Sequence, residues 1–372
     1  MNIIPVKTKK QLNQFIKLPF KLYKDDSNWV APLIMDQKDL FNPDKNPFFQ
    51  HSEVQLFLAE KDRIIVGRIS AQTNTQHNKT HNDNIGFFGF FECENNPEIA
   101  KALTKTATKW LKERGCDVMR GPMNLSVNDE CGLLTEGFDT PPFVMMTHHL
   151  KYYKKLMEDC GMKKSMDLLA YLIPVSKPPE KVKKLTEQLL KKGNFKVRSL
   201  SCKKKQLRKD IETVFTIYTK AWERNWGFVP MTKAEFDHLV DELMPIIKPE
   251  FVFIAEVDDV PAGFCVTLPD YNFILKKMKG RLLPTGILKA LYFKNKIERL
   301  RVITLGVIKE YQNRGIDIVF YNKSFETAYE HKINYKEAEF SWILENNVMM
   351  NRIAEKLGGK VHKRYRIFDI PI

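Results

Sequence analysis

The stretch Arg301–Asp317, RVITLGVIKEYQNRGID, holds the residues best spaced for chemistry. Val302, Ile303, Leu305 and Val307 are β-formers in a short apolar run and predict a strand. Lys309 to Arg314 are polar and turn-forming. Gly315 stands where a helix opens, and Ile318, Val319, Tyr321, Phe325 and Ala328 recur at helical spacing. A strand feeding a helix through a glycine-containing loop aims backbone N–H groups at one spot, and the helix dipole adds positive potential there. That spot suits phosphate oxygens. With a single glycine, the residues also read as an ordinary capped connection, so the rest of the chain must decide. A second polar stretch, RGPMNLSVNDECG (120–132), follows a strand at 117–121. Its Asn124, Asn128, Asp129 and Glu130 either face a neighbouring domain and complete a pocket, or hold a turn by Asx bonding.

The elements that must position these residues come from a chain of 372 residues, enough for two domains with separate cores. Hydrophobic content of 43% and charged content of 28% are globular values. The first residues, MNIIPVKTKKQ, lack the apolar segment of a signal peptide, and no run is long enough to span a bilayer. Six cysteines are scattered and never spaced as CxxC, which fits a reduced, cytoplasmic protein and offers no metal site. The net charge of +15 admits nucleic acid, an anionic membrane surface or a polyphosphate ligand such as coenzyme A. No aromatic–basic RNA motif accompanies it, so nucleic acid is the weaker partner. The chain contains no GxxxxGKS/T, GxSxG, HExxH or GxGxxG, which removes P-loop, hydrolase, zincin and dinucleotide chemistries.

The pattern repeats. QLFLAE (55–60) and the strand 64–71 form a predicted hairpin, and VFIAE (252–256) with 261–266 forms another. Ala59-Glu60 and Gly67 recur as Ala255-Glu256 and Gly263 at an offset of 196. Glu158-x-x-Gly161 recurs as Glu355-x-x-Gly358 at an offset of 197. Two landmarks with nearly one offset argue for a duplicated unit. The proline-rich Pro174–Pro179 marks a linker, giving domains at 1–174 and 180–372. Each half reads as early helices, hairpin, strand, helix, strand, helix and final strand, an α/β (α+β) layering of a mixed sheet flanked by helices.

On these residues the second half resembles the GNAT N-acyltransferase superfamily: the hairpin 252–266, the strand 302–307, the loop Gln312–Asp317, the strand 338–344, and Asn346-Asn347 before the helix ending in Glu355-Lys356-Leu357-Gly358. The family's phosphate loop, Gln/Arg-x-x-Gly-x-Gly/Ala, is matched by Gln312 and Gly315 and broken by Asp317, whose carboxylate is expected to point away from a bound diphosphate. The corresponding first-half stretch, Phe91–Pro97, lacks glycine and is acidic. The chain thus looks like a tandem GNAT protein with one degenerate and one cofactor-competent half.

The resemblance implies an acyl-CoA or acetyl-CoA co-substrate, an amine acceptor and no metal. Leu305 and Val307 would pair with pantetheine, with Val307 N–H as oxyanion donor. Gln312, Asn313, Arg314, Gly315, Ile316, Asp317 and Asn347 would line the cofactor site. Glu223 and Asp270 are the candidate general bases. The family's usual acid, a tyrosine of the last helix, is replaced by Ala354, leaving Tyr311 or Tyr321 as candidates, or an unassisted thiolate. The insertion 272–301 interleaves nine Lys and Arg residues with apolar ones and one acid, Glu298. It suits either the anionic inner face of a membrane, which favours a lipidic substrate, or a solvated helix packed by one stripe. A soluble acetyltransferase and a non-catalytic basic binding module remain the alternatives.

Overall fold

The computed structural model describes residues 1–192, 194–222 and 225–372. Its first half runs β1 (Asn2–Pro5), α1 (Lys9–Leu22), α2 (Ile34–Leu40), β2 (Val54–Lys61), β3 (Ile64–Thr73), α3 (Thr75–His81), β4 (Ile85–Cys93), α4 (Pro97–Lys112), β5 (Val118–Gly121), β6 (Leu133–Glu136), α5 (Tyr153–Asp159) and β7 (Lys163–Pro174). The second runs α6 (Glu180–Lys192), β8 (Phe195–Ser199), α7 (Lys204–Ala221), α8 (Lys233–Leu243), β9 (Val252–Val257), β10 (Val260–Pro269), α9 (Asn272–Met278), α10 (Gly286–Phe293), β11 (Arg299–Val307), α11 (Ile316–Glu330), β12 (Glu337–Leu344), α12 (Val348–Lys356) and β13 (Lys360–Pro371). The strands form one mixed sheet in the order β1-β2-β3-β4-β5-β13-β7-β12-β11-β10-β9-β8, with β6 added on β13.

Local chemistry explains the repeat. Both hairpins turn through two residues of positive φ, Asp62 (50°) with Arg63 (64°) and Asp258 (49°) with Asp259 (61°). That backbone matches the twist of the paired strands. Gly161 and Gly358 follow α5 and α12 in the left-handed conformation, each at φ 83°, where a side chain would be strained. β7 and β13, twelve residues each, are also offset by 197. The first-half loop is shorter than expected: Phe91–Cys93 belong to β4, and only Glu94–Asn96 separate it from α4.

Sequence reading gave no sign of what the final strands do. β13, from the second half, pairs with β5 of the first, while β7, from the first half, pairs with β12 of the second. At the centre the two lie antiparallel, Lys163 opposite Asp369 and Leu172 opposite Lys360. Cutting the chain at the Pro174–Pro179 linker therefore divides the sequence but not the sheet. Leu168, Ile173, Tyr365, Ile367 and Phe368 are almost fully buried along this seam. Each such side chain contributes roughly 1.5–3 kcal/mol, which fastens the halves together. Asp167 of β7 accepts two bonds from Arg366 of β13 (2.7 and 2.9 Å), a bidentate pair across the same seam.

Helices cover both faces. α4 and α5 pack over β2–β4 through Leu103, Ala107, Leu111 and Met157. α11 presents Ile316, Val319 and Phe320 to β9–β12. On the other face of the second half, α7 packs Ile217 among Phe264, Val266 and Leu268.

Candidate active site

β11 runs beside β12 only as far as Val302, opposite Phe340. Beyond that point the two strands part. Thr304–Val307 stay paired with β10 on one side, Leu305 opposite Cys265 and Val307 opposite Gly263. Among the described residues, their other edge has no strand partner. A bulge between Val266 and Thr267 leaves Ile303 without an opposite residue, which bends the strand there. Arg301 pins the fork. It is buried, and it donates to Ser341 Oγ (2.8 Å), to the Ser341 carbonyl (3.1 Å) and to the Val144 carbonyl of the first half (2.6 Å).

From β11 the chain enters a single turn at Lys309–Tyr311 and then α11. Asn313 (φ 64°) and Gly315 (φ 79°) are both left-handed. A Cβ on Gly315 would sit 2.7 Å from Leu189 of α6, so both space and backbone require glycine. Gly315 begins α11 without a side-chain cap. Among the described residues, no acceptor takes the N–H groups of Asn313 to Ile318. Consecutive free amides at a helix N-terminus make an anion cradle, and these fit a diphosphate. Gln312 Nε2 donates to the Val307 carbonyl (3.1 Å) and ties the loop to the strand.

A cavity of about 760 Å³ connects this mouth, the free edge of β11 and an apolar chamber beneath α7 and α8. Leu305, Val307, Tyr311, Gln312, Asn313, Ile316, Asp317 and Asn347 all line it. Arg314 is exposed on the loop, its guanidinium 5.4 Å from the Tyr311 ring. Tyr321 also lines the cavity, stacked on Phe340, and its hydroxyl donates to Met350 Sδ (3.5 Å). Asn347 is the N-cap of α12 and accepts from Met350 N–H (3.2 Å).

Asp317 lines the cavity in the first turn of α11, where the helix dipole favours a carboxylate. Two expectations are corrected. Asp270 does not face the cavity. It is 1% exposed, accepts from Val144 N–H (2.8 Å) of the first half, and lies 3.5 Å from the Arg299 guanidinium. Burial pushes its pKa up to about 7 against the pull of Arg299, so it serves as a staple between the halves. Arg299 and Arg301 leave the basic insertion, because both belong to β11. Glu223 lies outside the described residues.

Two wall elements escaped sequence reading. Gly306 faces Trp222, whose ring would be 2.1 Å from a Cβ there. A glycine inside a strand signals such a close approach. Val214, Phe236, Leu239, Val240 and Leu243 of α7 and α8 form the chamber, a packing outcome that two separate helical stripes do not announce. The stretch 120–132 divides between the two expectations, and Asn124 and Glu130 are not among the residues lining the cavity. Ser126 N–H donates to Asp129 Oδ2 (3.1 Å) in a local turn, while Asn128 and Asp129 line the cavity of the other half.

Comparison with known proteins places this architecture. The chain is 37% identical over 375 residues to the bacterial ceramide synthase of Caulobacter vibrioides, covering 99% of this chain and 97% of that protein. It is 35% identical to the protein YghO of Escherichia coli, covering 97% and 93%. Among solved structures, a tandem GNAT protein from the clavulanic acid biosynthesis pathway superposes with a TM-score of 0.57 at 8% identity, over 100% of this chain and 98% of that one. A GCN5-related N-acetyltransferase from Sphaerobacter thermophilus superposes with a TM-score of 0.52 at 13% identity, over 99% and 95%. These two likenesses show the fold. No family model matches the chain.

Proposed function

We propose that this chain, which belongs to the family of the Caulobacter ceramide synthase and YghO and has the tandem GNAT fold, transfers a long acyl chain from acyl-CoA to an amine at an anionic membrane surface. The observation that carries this reading is the continuity of the cavity. The amide mouth would take the diphosphate and the free β11 edge the pantetheine amides, as an added strand would. Val307 N–H would then meet the developing oxyanion. The chamber under α7 and α8 is surplus for an acetyl group, and its apolar walls suit a hydrocarbon chain.

The basic insertion supports the surface. Leu283 (66% exposed), Leu288 (67%), Leu291 (58%) and Tyr292 (65%) stand out from α10 and the turn before it. Exposed Lys276, Lys277, Lys279, Arg281, Lys294 and Lys296 surround them. Each lysine near an anionic bilayer contributes about 1 kcal/mol, and the leucines insert. Among the described residues no helix is long and apolar enough to cross a membrane.

Two measurements test the reading. Palmitoyl-CoA is expected to raise the melting temperature more than acetyl-CoA, and Leu239→Trp, which fills the chamber, to abolish that difference while acetyl-CoA still protects. Equal protection by both thioesters would favour a soluble acetyltransferase. Co-sedimentation with anionic liposomes is expected for the wild-type chain and lost in Leu288→Asp/Leu291→Asp. Sedimentation unaffected by the double substitution would refute the α10 contact.

A further inference from the structure

The cavity has a second polar contribution, opposite in charge to the helix mouth, and it comes from the other half of the chain. Val127, Asn128 and Asp129 reach into it from the first half. They are held rigidly. Asn128 N–H donates to Ser126 Oγ (3.1 Å), Asp129 N–H to the Ser126 carbonyl (3.1 Å), and Ser126 N–H to Asp129 Oδ2 (3.1 Å). The Asn128 amide is satisfied at both ends: Nδ2 donates to the Val229 carbonyl (3.0 Å), and Oδ1 accepts from the Tyr218 hydroxyl of α7 (2.7 Å). Among the described residues, nothing donates to Asp129 Oδ1, and no Lys, Arg or His lies within ion-pair distance of that carboxylate.

We infer that Asp129, delivered by the first half, anchors the ammonium group of the acceptor and takes its proton before acyl transfer, with Asn128 and Tyr218 as positioning residues. The inference rests on the acyl-transfer reading above and adds to it the residue that meets the acceptor amine. The cavity is polarised for that pairing. Free amides at the mouth of α11 attract a diphosphate, and the Asp129 carboxylate attracts a cation. Apolar side chains line the same cavity.

The proton accounting closes. The ammonium gives one proton to Asp129, and the neutral nitrogen attacks the thioester carbonyl. A C–N bond forms and the C–S bond breaks. The departing thiolate takes the second nitrogen proton and leaves as the thiol, and Asp129 releases its proton to solvent. The surroundings tune the carboxylate for this. Asp129 is exposed where it borders the cavity, and desolvation by the protein around it pushes its pKa up to about 8. The Ser126 N–H opposes that rise, while Glu242 and Glu235 of α8 and Glu130 of the same loop add to it. Tyr218 faces it from α7, and its own hydroxyl is held above its usual range by burial first, then by Glu235 and Asp129. A base titrating near the working pH suits proton transfer.

The test uses the full chain and no thioester in its first arm. By calorimetry at pH 9, where Asp129 is ionised and an alkylammonium is still charged, dodecylamine is expected to bind at least roughly tenfold more tightly than dodecanol. Asp129→Asn keeps the side-chain shape and its bond from Ser126, and should erase that preference. Asp129→Glu should restore part of it. Equal binding of amine and alcohol by the wild-type chain, or a preference surviving in Asp129→Asn, overturns the inference. In the second arm, acyl-CoA should protect Asp129→Asn against heat as it protects wild type, which also verifies folding. The rise of kcat/KM through pH 8 should disappear in that variant, and a wild-type-like pH profile would refute the base role. Protection without amine preference overturns this inference alone. No acyl-CoA protection of the wild-type chain overturns the transfer reading, and this inference with it.

Discussion

Two forks in the sheet, one in each half, share their topology and differ in what fills them. In the second half β11 leaves β12 after Val302, and the edge beyond is open to the cavity. In the first half β4 leaves β5 after Phe87, and the chain itself occupies the gap. Met123 N–H donates to the Phe88 carbonyl (2.7 Å), and Asn124 Oδ1 accepts from Phe90 N–H (2.8 Å). The following helices differ in the same sense. α4 begins with Pro97, which has no N–H, and Asn96 caps Glu98 N–H (2.8 Å), whereas α11 begins at Gly315 with its amides free among the described residues. The plug then continues into Val127–Asp129 and lines the other half's cavity. The fork of the first half is thus filled by its own chain, and the segment that fills it furnishes a wall of the other half's cavity.

The largest expected effect breaks the open fork. Gly315→Glu forces a side chain into a left-handed backbone and against Leu189, and brings a carboxylate to the diphosphate cradle. Acyl-CoA should no longer raise the melting temperature. The equivalent change in the closed half, Pro97→Gly, should leave that shift intact. If both variants respond alike to acyl-CoA, the distinction between the helix mouths is wrong. A smaller effect comes from pulling the plug. Asn124→Ala strips the acceptor from Phe90 N–H and should lower stability by about 1 kcal/mol in urea titrations. Acyl-CoA protection should survive, because the cradle lies in the other half.

Much of this contrast was legible in sequence because it is local. The Asp62-Arg63 and Asp258-Asp259 turns, Gly161 and Gly358, and Gly315 each answer to backbone geometry within a few residues, so their spacing revealed the duplication and the open mouth. The absence of glycine near Asn96 announced the closed one. What was hidden is long-range. Nothing local in β7, a continuous apolar run from Leu168 to Ile173, or in β13, which alternates, tells which half's sheet each will join. Asp270 looked chemical because it is a carboxylate near the site in sequence, but Val144, 126 positions earlier, claims it. Asp129 looked like a turn residue because it is one. Its second role depends on where the other half's helices lie.

The smallest effect sharpens the comparison at a single register position. Gly67 pairs with Cys93 as Gly263 pairs with Val307, so Glu92 in the closed half occupies the place of Gly306 in the open one. Gly306 lies against Trp222, whereas Glu92 is buried and accepts from the hydroxyls of Tyr23 (2.8 Å) and Tyr153 (2.7 Å), with Arg68 3.9 Å away. Burial pushes its pKa from 4.5 up to about 7, although Arg68 and both tyrosines pull the other way. Between those two values the folded chain keeps a proton that the unfolded chain has released. This contribution to stability is therefore complete below pH 4.5, declines as pH rises toward 7 and is gone above it. A glutamine carbonyl accepts the same two tyrosine hydroxyls and does not titrate. Glu92→Gln should match wild type at pH 4.5 and gain on it steadily to pH 8 in paired denaturation curves, with acyl-CoA protection unchanged throughout. Parallel pH profiles for the two proteins would mean that the buried carboxylate holds no such proton, and that the closed half is sealed by packing and backbone bonds alone.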